Sequence, residues 1–158
     1  MKGPRPQQPE GAPEGTVWFG GPVDRCKVTL RVFGDELDPD SISAMLGCAP
    51  TRAEKKGVPI PTKGASTHVA KRGFWSLSIT SEECGEWAVD EVVIALLKKL
   101  PSDVTIWRHL TTTYKVDLFC GLFMEAGNRG FGLSAATCKV LADRNLEIGF
   151  DIYAPDTK

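Results

Sequence analysis

The chain is poor in the residues that most catalytic and metal chemistry needs. Its 158 residues include only two histidines, His68 and His109, and no cysteine pair at CxxC spacing. No structural zinc motif or dithiol redox motif is therefore present, and no metal or cofactor is expected. The five cysteines (Cys26, Cys48, Cys84, Cys120 and Cys138) are odd in number and widely spaced. They read as free thiols in a reducing compartment, which places the protein in the cytoplasm. No run of about 18 apolar residues occurs, so no membrane span is expected. A basic start followed by an apolar h-region is also missing, so no secretory signal is expected. Neither sign of charge dominates: 19 Lys+Arg stand against 20 Asp+Glu, for a net charge of −1. That balance argues against bulk nucleic-acid binding, which rests on an excess of Lys and Arg.

Glycine and proline are plentiful but uneven. Ten of the 27 fall in residues 1–22 (MKGPRPQQPEGAPEGTVWFGGP). Such a segment has little apolar surface to offset the entropy of ordering, so it is expected to be a disordered tail. Trp18 and Phe19 are its exception, available to dock on the domain or on a neighbour. The remainder, residues 23–155, is expected to form one α+β domain, a size that suits a single core.

The domain's elements follow from periodicity. Residues 26–33 (CKVTLRVF) alternate Val28, Leu30 and Val32 with Lys27, Thr29 and Arg31, as a half-buried strand does. A helix over 39–46 is predicted by Asp38 as cap, Pro39 at its first position, the stripe Ile42, Met45, Leu46, and Gly47 as stop. Residues 48–73 read as one long loop. Residues 74–79 (FWSLSI) form a second strand, with Trp75, Leu77 and Ile79 on one face. A helix over 85–99 is marked by Val89, Val92, Val93, Leu96, Leu97 and Leu100, with Lys98 and Lys99 suited to its dipole. Val104, Trp107 and Leu110 predict a short helix over 102–112 capped by Ser102, against the β-branched Thr111–Thr113. Residues 115–124 alternate as a third strand. Residues 125–130 turn, with Gly127–Asn128 as turn chemistry. Ser134 caps a helix over 135–144. A fourth strand over 146–153 is expected to turn Leu146, Ile148, Phe150 and Ile152 inward. Four alternating strands imply one four-stranded sheet with helices on one face. The simplest architecture is a ferredoxin-like sandwich of two β-α-β halves with an extra helix between them.

Several stretches together resemble a known family. They are FGDELDP (33–39), LG (46–47), APTR (49–52), KG (56–57), FWSLS (74–78), KVDLFCGLF (115–123), GFGLS (130–134) and FDIYA (150–154). In order and spacing, over residues 26–154, they are similar to the bacterial family called domain of unknown function 4279. The resemblance implies a bacterial α+β domain and brings no catalytic residue with it.

Two constellations stand out as candidate sites. The open sheet face is expected to display Arg31, Asp117, Phe119, Phe123, Asp151 and Tyr153, beside Lys27, Thr29, Ser76, Ser78 and Glu147. Three aromatic rings expose more apolar area than a solvated face needs, and such patches mark partner sites. The plainer reading is that pairs such as Arg31 with Asp117 or Asp151 merely satisfy the sheet, or that tail or loop covers it. The second constellation is the loop over 49–73. It carries Arg52, Lys55, Lys56, Lys63, Lys71 and Arg72 against Glu54 alone, with Phe74 and Trp75 at its end. Arg52, Lys56, Lys71, Arg72 and Trp75 together would clasp an anion or a single nucleic-acid strand. The plainer reading is a solvated lysine-rich loop, with Arg52 bonding the preceding helix's last carbonyls.

Asp117, Glu147 and Asp151 raise the question of paired acid/base carboxylates. No nucleophile, histidine base or Gly-rich elbow accompanies them, and His68 and His109 have no evident partner. EAGNRGFGLS matches neither the GxGxxG nor the P-loop pattern. The expectation is therefore a non-enzymatic, protein-binding module, immunity- or adaptor-like, using the open sheet face. The alternative is an anion or single-stranded nucleic-acid binder through the loop, with a carboxylate hydrolase behind both.

Overall fold

The computed structural model describes residues 11, 13, 14, 21–61, 64, 67–125 and 128–154. Trp18, Phe19, Lys63, Gly127 and most of the Pro/Gly-rich tail lie outside the described residues. The first strand, β1 (Arg25–Gly34), buries Cys26, Val28, Leu30 and Val32 completely while its other residues stay exposed or half-exposed. The helix α1 (Pro39–Leu46) forms as its caps dictate. The Asp38 carboxylate accepts from Ser41 N–H, Pro39 opens the first turn, and Gly47 closes it at φ 70°.

The long loop is the first correction, because it has structure of its own. It holds β2 (Arg52–Glu54), β3 (Pro59–Pro61) and β4 (Thr67–Val69). Strands β3 and β4 pair as a separate antiparallel ribbon, and β2 joins the main sheet. Next comes β5 (Gly73–Thr80), then a single turn, α2 (Ser81–Cys84), whose capping box joins Thr80 and Glu83. The expected helix over 85–99 is shorter. Gly85 ends α2 at φ 73°, and α3 starts only at Val89, spanning Val89–Leu97. In α4 (Val104–Thr113) the cap is Asp103 rather than Ser102, accepting from Thr105 N–H. Then follow β6 (Lys115–Phe123), α5 (Ala135–Asp143) capped by Ser134, and β7 (Glu147–Tyr153).

The sheet is five-stranded and mixed, in the order β2-β5-β1-β6-β7, which replaces the expected four-stranded ferredoxin-like arrangement. Strand β1 is antiparallel to both neighbours, and only β6 and β7 run parallel. The second half is thus a true β-α-β unit through α5, while the first is not. The reason lies in lengths. Eight residues of α1 carry the chain back about 12 Å, against about 33 Å for ten residues of β1. Strand β2 then returns it toward the end where β1 finished. Gly73 opens β5 opposite Gly34, and β5 runs antiparallel to β1. That junction is tight: a Cβ on Gly73 would stand 2.6 Å from the Gly34 carbonyl oxygen and 2.8 Å from Leu37 Cβ.

One core fills the space between sheet and helices. Val28, Leu30, Trp75, Leu118 and Leu122 meet Ile42 of α1, Val92 and Leu96 of α3, Trp107 and Leu110 of α4, and Leu141 of α5. Each fully buried aliphatic side chain contributes roughly 1.5–3 kcal/mol. Both buried indoles satisfy their N–H: Trp75 Nε1 donates to Ser43 Oγ at 3.0 Å and Trp107 Nε1 to the Pro101 carbonyl at 2.8 Å. The edge strand β7 departs from expectation. Leu146 is buried and Ile148 half-buried, but Phe150 and Ile152 are exposed, because the helices stop short of this edge.

Candidate functional site on the open sheet face

The strand residues that do not enter the core form the opposite face of the sheet, and among the described residues no helix covers it. Pairing register sets its rows. Arg52, Ser76, Arg31, Asp117 and Glu147 lie side by side across all five strands. The row toward one end holds Glu54, Phe74, Phe33 and Lys115. Toward the other come Ser78, Thr29, Phe119 and Gly149, then Lys27, Gly121 and Asp151, and last Arg25, Phe123 and Tyr153.

Aromatic rings and guanidiniums interleave over this face. At its centre Arg31 makes a fork to Asp117, Nε to Oδ1 at 2.7 Å and Nη2 to Oδ2 at 2.8 Å. The same guanidinium lies 4.3 Å over the Phe119 ring. Phe123 and Tyr153 stack at 4.7 Å and 8°, and Arg25 sits 4.0 Å above Phe123. The hydrogen bond from the Tyr153 phenol to Asp151, with that carboxylate's charge, holds the phenol above its ordinary pKa. Between these groups lies a shallow cavity of about 300 Å³, lined by Lys27, Thr29, Phe119, Gly121, Phe123 and Tyr153. Gly121 leaves it open, since a Cβ there would meet the rings of Phe123 and Tyr153 at 3.5 and 3.6 Å.

Where the basic loop meets the sheet, a second cavity of about 290 Å³ opens. Arg52, His68, Lys71 and Arg72 line it around the tilted pair Phe33–Phe74, whose centroids are 5.1 Å apart. Arg72 stacks 4.3 Å over Phe33, and Arg52 pairs with its neighbour Glu54.

Of the expected open-face residues, all six lie on that face: Arg31, Asp117, Phe119, Phe123, Asp151 and Tyr153. The plainer reading also holds for two of them, because Arg31 and Asp117 satisfy each other. The carboxylates are not brought together as a catalytic pair. Asp117 opposes Glu147, whereas Asp151 opposes Gly121, four residues farther along β7, and both Asp117 oxygens are taken by Arg31. From the loop set, Arg52, Lys71 and Arg72 converge. Trp75 does not, since it is fully buried. Lys56 does not either: its ammonium lies 2.7 Å from Asp35, which raises its pKa. The alternation that groups Trp75 with Leu77 and Ile79 already excludes it from the outer face. Phe33 and Arg25, missed in the sequence, follow the same parity as Lys27, Thr29 and Arg31. His68 had no signal, because it enters on a three-residue strand.

Cys26 and Cys120 face the core, and burial pushes both thiols up to about 12. They are neutral and unreactive at ordinary pH. No group of three or more His, Cys, Asp or Glu that could hold a metal exists among the described residues. Among those residues, too, no helix is long and apolar enough to cross a membrane. Comparison with known proteins gives one match: the family described as Domain of unknown function (DUF4279) covers residues 24–155. No curated protein and no solved structure matches.

Proposed function

The chain belongs to the DUF4279 family, and on that premise we propose that it is a protein-binding module, immunity- or adaptor-like, acting through its open sheet face rather than by catalysis. One observation carries this reading: a sheet face that no helix covers among the described residues, bearing stacked rings around an apolar-floored cavity at Phe119, Gly121, Phe123 and Tyr153. Lys27 lines that cavity and Arg25 sits on its Phe123 wall, so the complementary partner presents an apolar side chain flanked by carboxylates. The five free cysteines suit a reducing, cytoplasmic setting. The test compares the chain with a Phe119→Ala/Asp151→Ala/Tyr153→Ala variant in pull-downs against the products of neighbouring genes. Loss of a captured partner with an unchanged circular dichroism spectrum supports the reading; an unaffected complex removes it.

The second cavity favours a second reading, an anionic ligand or single strand held by Arg52, Lys71 and Arg72 beside Phe33 and Phe74. Fluorescence polarisation with a labelled single-stranded oligonucleotide at low salt tests it. Binding that weakens steeply with added salt supports it. A flat titration sinks it.

A further inference from the structure

Four of the seven large apolar side chains exposed among the described residues gather at one edge of the sheet. Among the described residues, Phe131 (43% exposed), Phe150 (38%), Ile152 (57%) and Tyr153 (45%) all lie on or beside β7. Phe131 and Phe150 pack on each other at 4.8 Å, so three of these side chains already form one strip. Among the described residues, strand β7 has a neighbour on one side only, β6. The Tyr153 carbonyl accepts from Met124 N–H on the β6 side, so the alternate residues Ile148, Phe150 and Ile152 turn their backbone N–H and C=O groups to the outer edge. Of the usual devices that protect an edge, the sequence EIGFDIY has neither proline nor lysine, and its two carboxylates, Glu147 and Asp151, both stand on the open face.

We infer that β7 pairs with β7 of a second copy of this chain, antiparallel about a two-fold axis at Phe150. The sequence is self-complementary in that register. Ile148 opposes Ile152 of the other copy, Phe150 opposes Phe150, Glu147 opposes Tyr153, and Gly149 opposes Asp151. The helix-side strip Ile148, Phe150, Ile152 then runs unbroken across the axis, flanked by Phe131. On the open face each carboxylate faces an uncharged residue, and Gly149 leaves room for Asp151.

Other registers are worse. A slip of one residue sends Phe150 and Ile152 to opposite faces from their counterparts. Moving the axis one way to Gly149 sets Glu147 against Asp151 twice. Moving it the other way to Asp151 sets that carboxylate against itself. Like charges directly opposed are destabilising. The register about Phe150 is also the one that uses all seven residues. It joins two five-stranded sheets into one of ten strands, with both helical layers on the same side and both open faces contiguous. Diagonal carboxylate neighbours remain across the seam, so added salt tightens the dimer by screening them.

Sedimentation of the full chain between about 1 µM and about 1 mM tests this. The expected result is a monomer–dimer equilibrium that shifts toward dimer with salt. Phe150→Asp and Ile152→Asp each abolish it with an unchanged circular dichroism spectrum, because both side chains are exposed in the monomer. Val58→Asp, at an exposed apolar site just after β2, the strand at the other end of the sheet, leaves it intact. Register is read by Phe150→Cys in a Cys138→Ser background. Residues facing each other across antiparallel strands have Cα atoms about 4.5–5.5 Å apart, within disulfide reach. Mild oxidation therefore cross-links two copies at position 150. A chain that stays monomeric at every concentration, whether residues before Gly21 cover the strip or nothing does, overturns the inference. So does a dimer that survives both aspartate variants or fails to cross-link.

Discussion

The two faces of the sheet solve burial in opposite ways. On the helix side Cys26, Val28, Leu30 and Val32 of β1 are wholly removed from water and carry no charge. On the open side of the same strand Lys27 stays exposed, Thr29 shares a hydrogen bond with Ser78, Arg31 forks onto Asp117, and Phe33 packs beside Phe74. The Arg31 guanidinium covers Phe119 and lies 5.5 Å from the Phe33 ring. One face thus holds the fold together, and the other holds its own side chains in place without being sealed. Folding energy sits mainly on the first face.

Substitutions across the two faces should separate these roles, beginning with the largest effect. Trp75→Ala empties a fully buried site and strands Ser43, and is expected to cost about 3–5 kcal/mol in denaturant unfolding. A value near zero would mean that the core face is not the structural one.

Alkaline pH should come next, acting through the core-facing thiols. Cys26 and Cys120 are raised by burial from 9.0 to about 12. The unfolded chain gives up these protons near pH 9 while the folded chain keeps them. Their contribution is therefore complete below pH 9 and is lost progressively as pH rises toward 12. Thermal melts from pH 8 to 11 should show the decline, and a Cys26→Ala/Cys120→Ala variant should flatten it.

Arg31→Ala is smaller, about 1–3 kcal/mol, because it leaves Asp117, only 14% exposed, without its fork. A double-mutant cycle with Asp117→Ala measures the pair itself. Smallest is Arg52→Ala, whose guanidinium is largely exposed, with a change within about 0.5 kcal/mol. Under the second functional reading it should nonetheless weaken anion binding, and that contrast of stability with affinity is the sharpest test of the open face.

Much of this architecture was legible in the sequence, and the gaps have physical causes. Alternation located β1, β5 and β6, and Asp38, Pro39, Gly47 and Ser134 located the ends of α1 and the start of α5. These signals are local. The strands β2, β3 and β4 are three residues each, too short to show a period, so the basic loop reads as structureless. Strand order is set by where a connection returns the chain, which periodicity does not encode. The β7 alternation was real, but whether Phe150 and Ile152 find cover depends on how far the helices extend. At the site, parity correctly placed Phe119, Phe123 and Tyr153 and would have excluded Trp75. The convergence of His68 and Arg72 on Phe33 needed the ribbon's path.

The stacked arginines carry a consequence for kinetics. A guanidinium that already rests on a ring has surrendered most of its rotamers before any partner arrives. A loose arginine gives up roughly 0.5–1.5 kcal/mol of that freedom on binding, and Arg25, Arg31 and Arg72 give up less. A face prepared in this way favours encounters that succeed at first touch over those that need rearrangement. Under the proposed reading, cations already seated on rings favour a partner whose carboxylates match their positions.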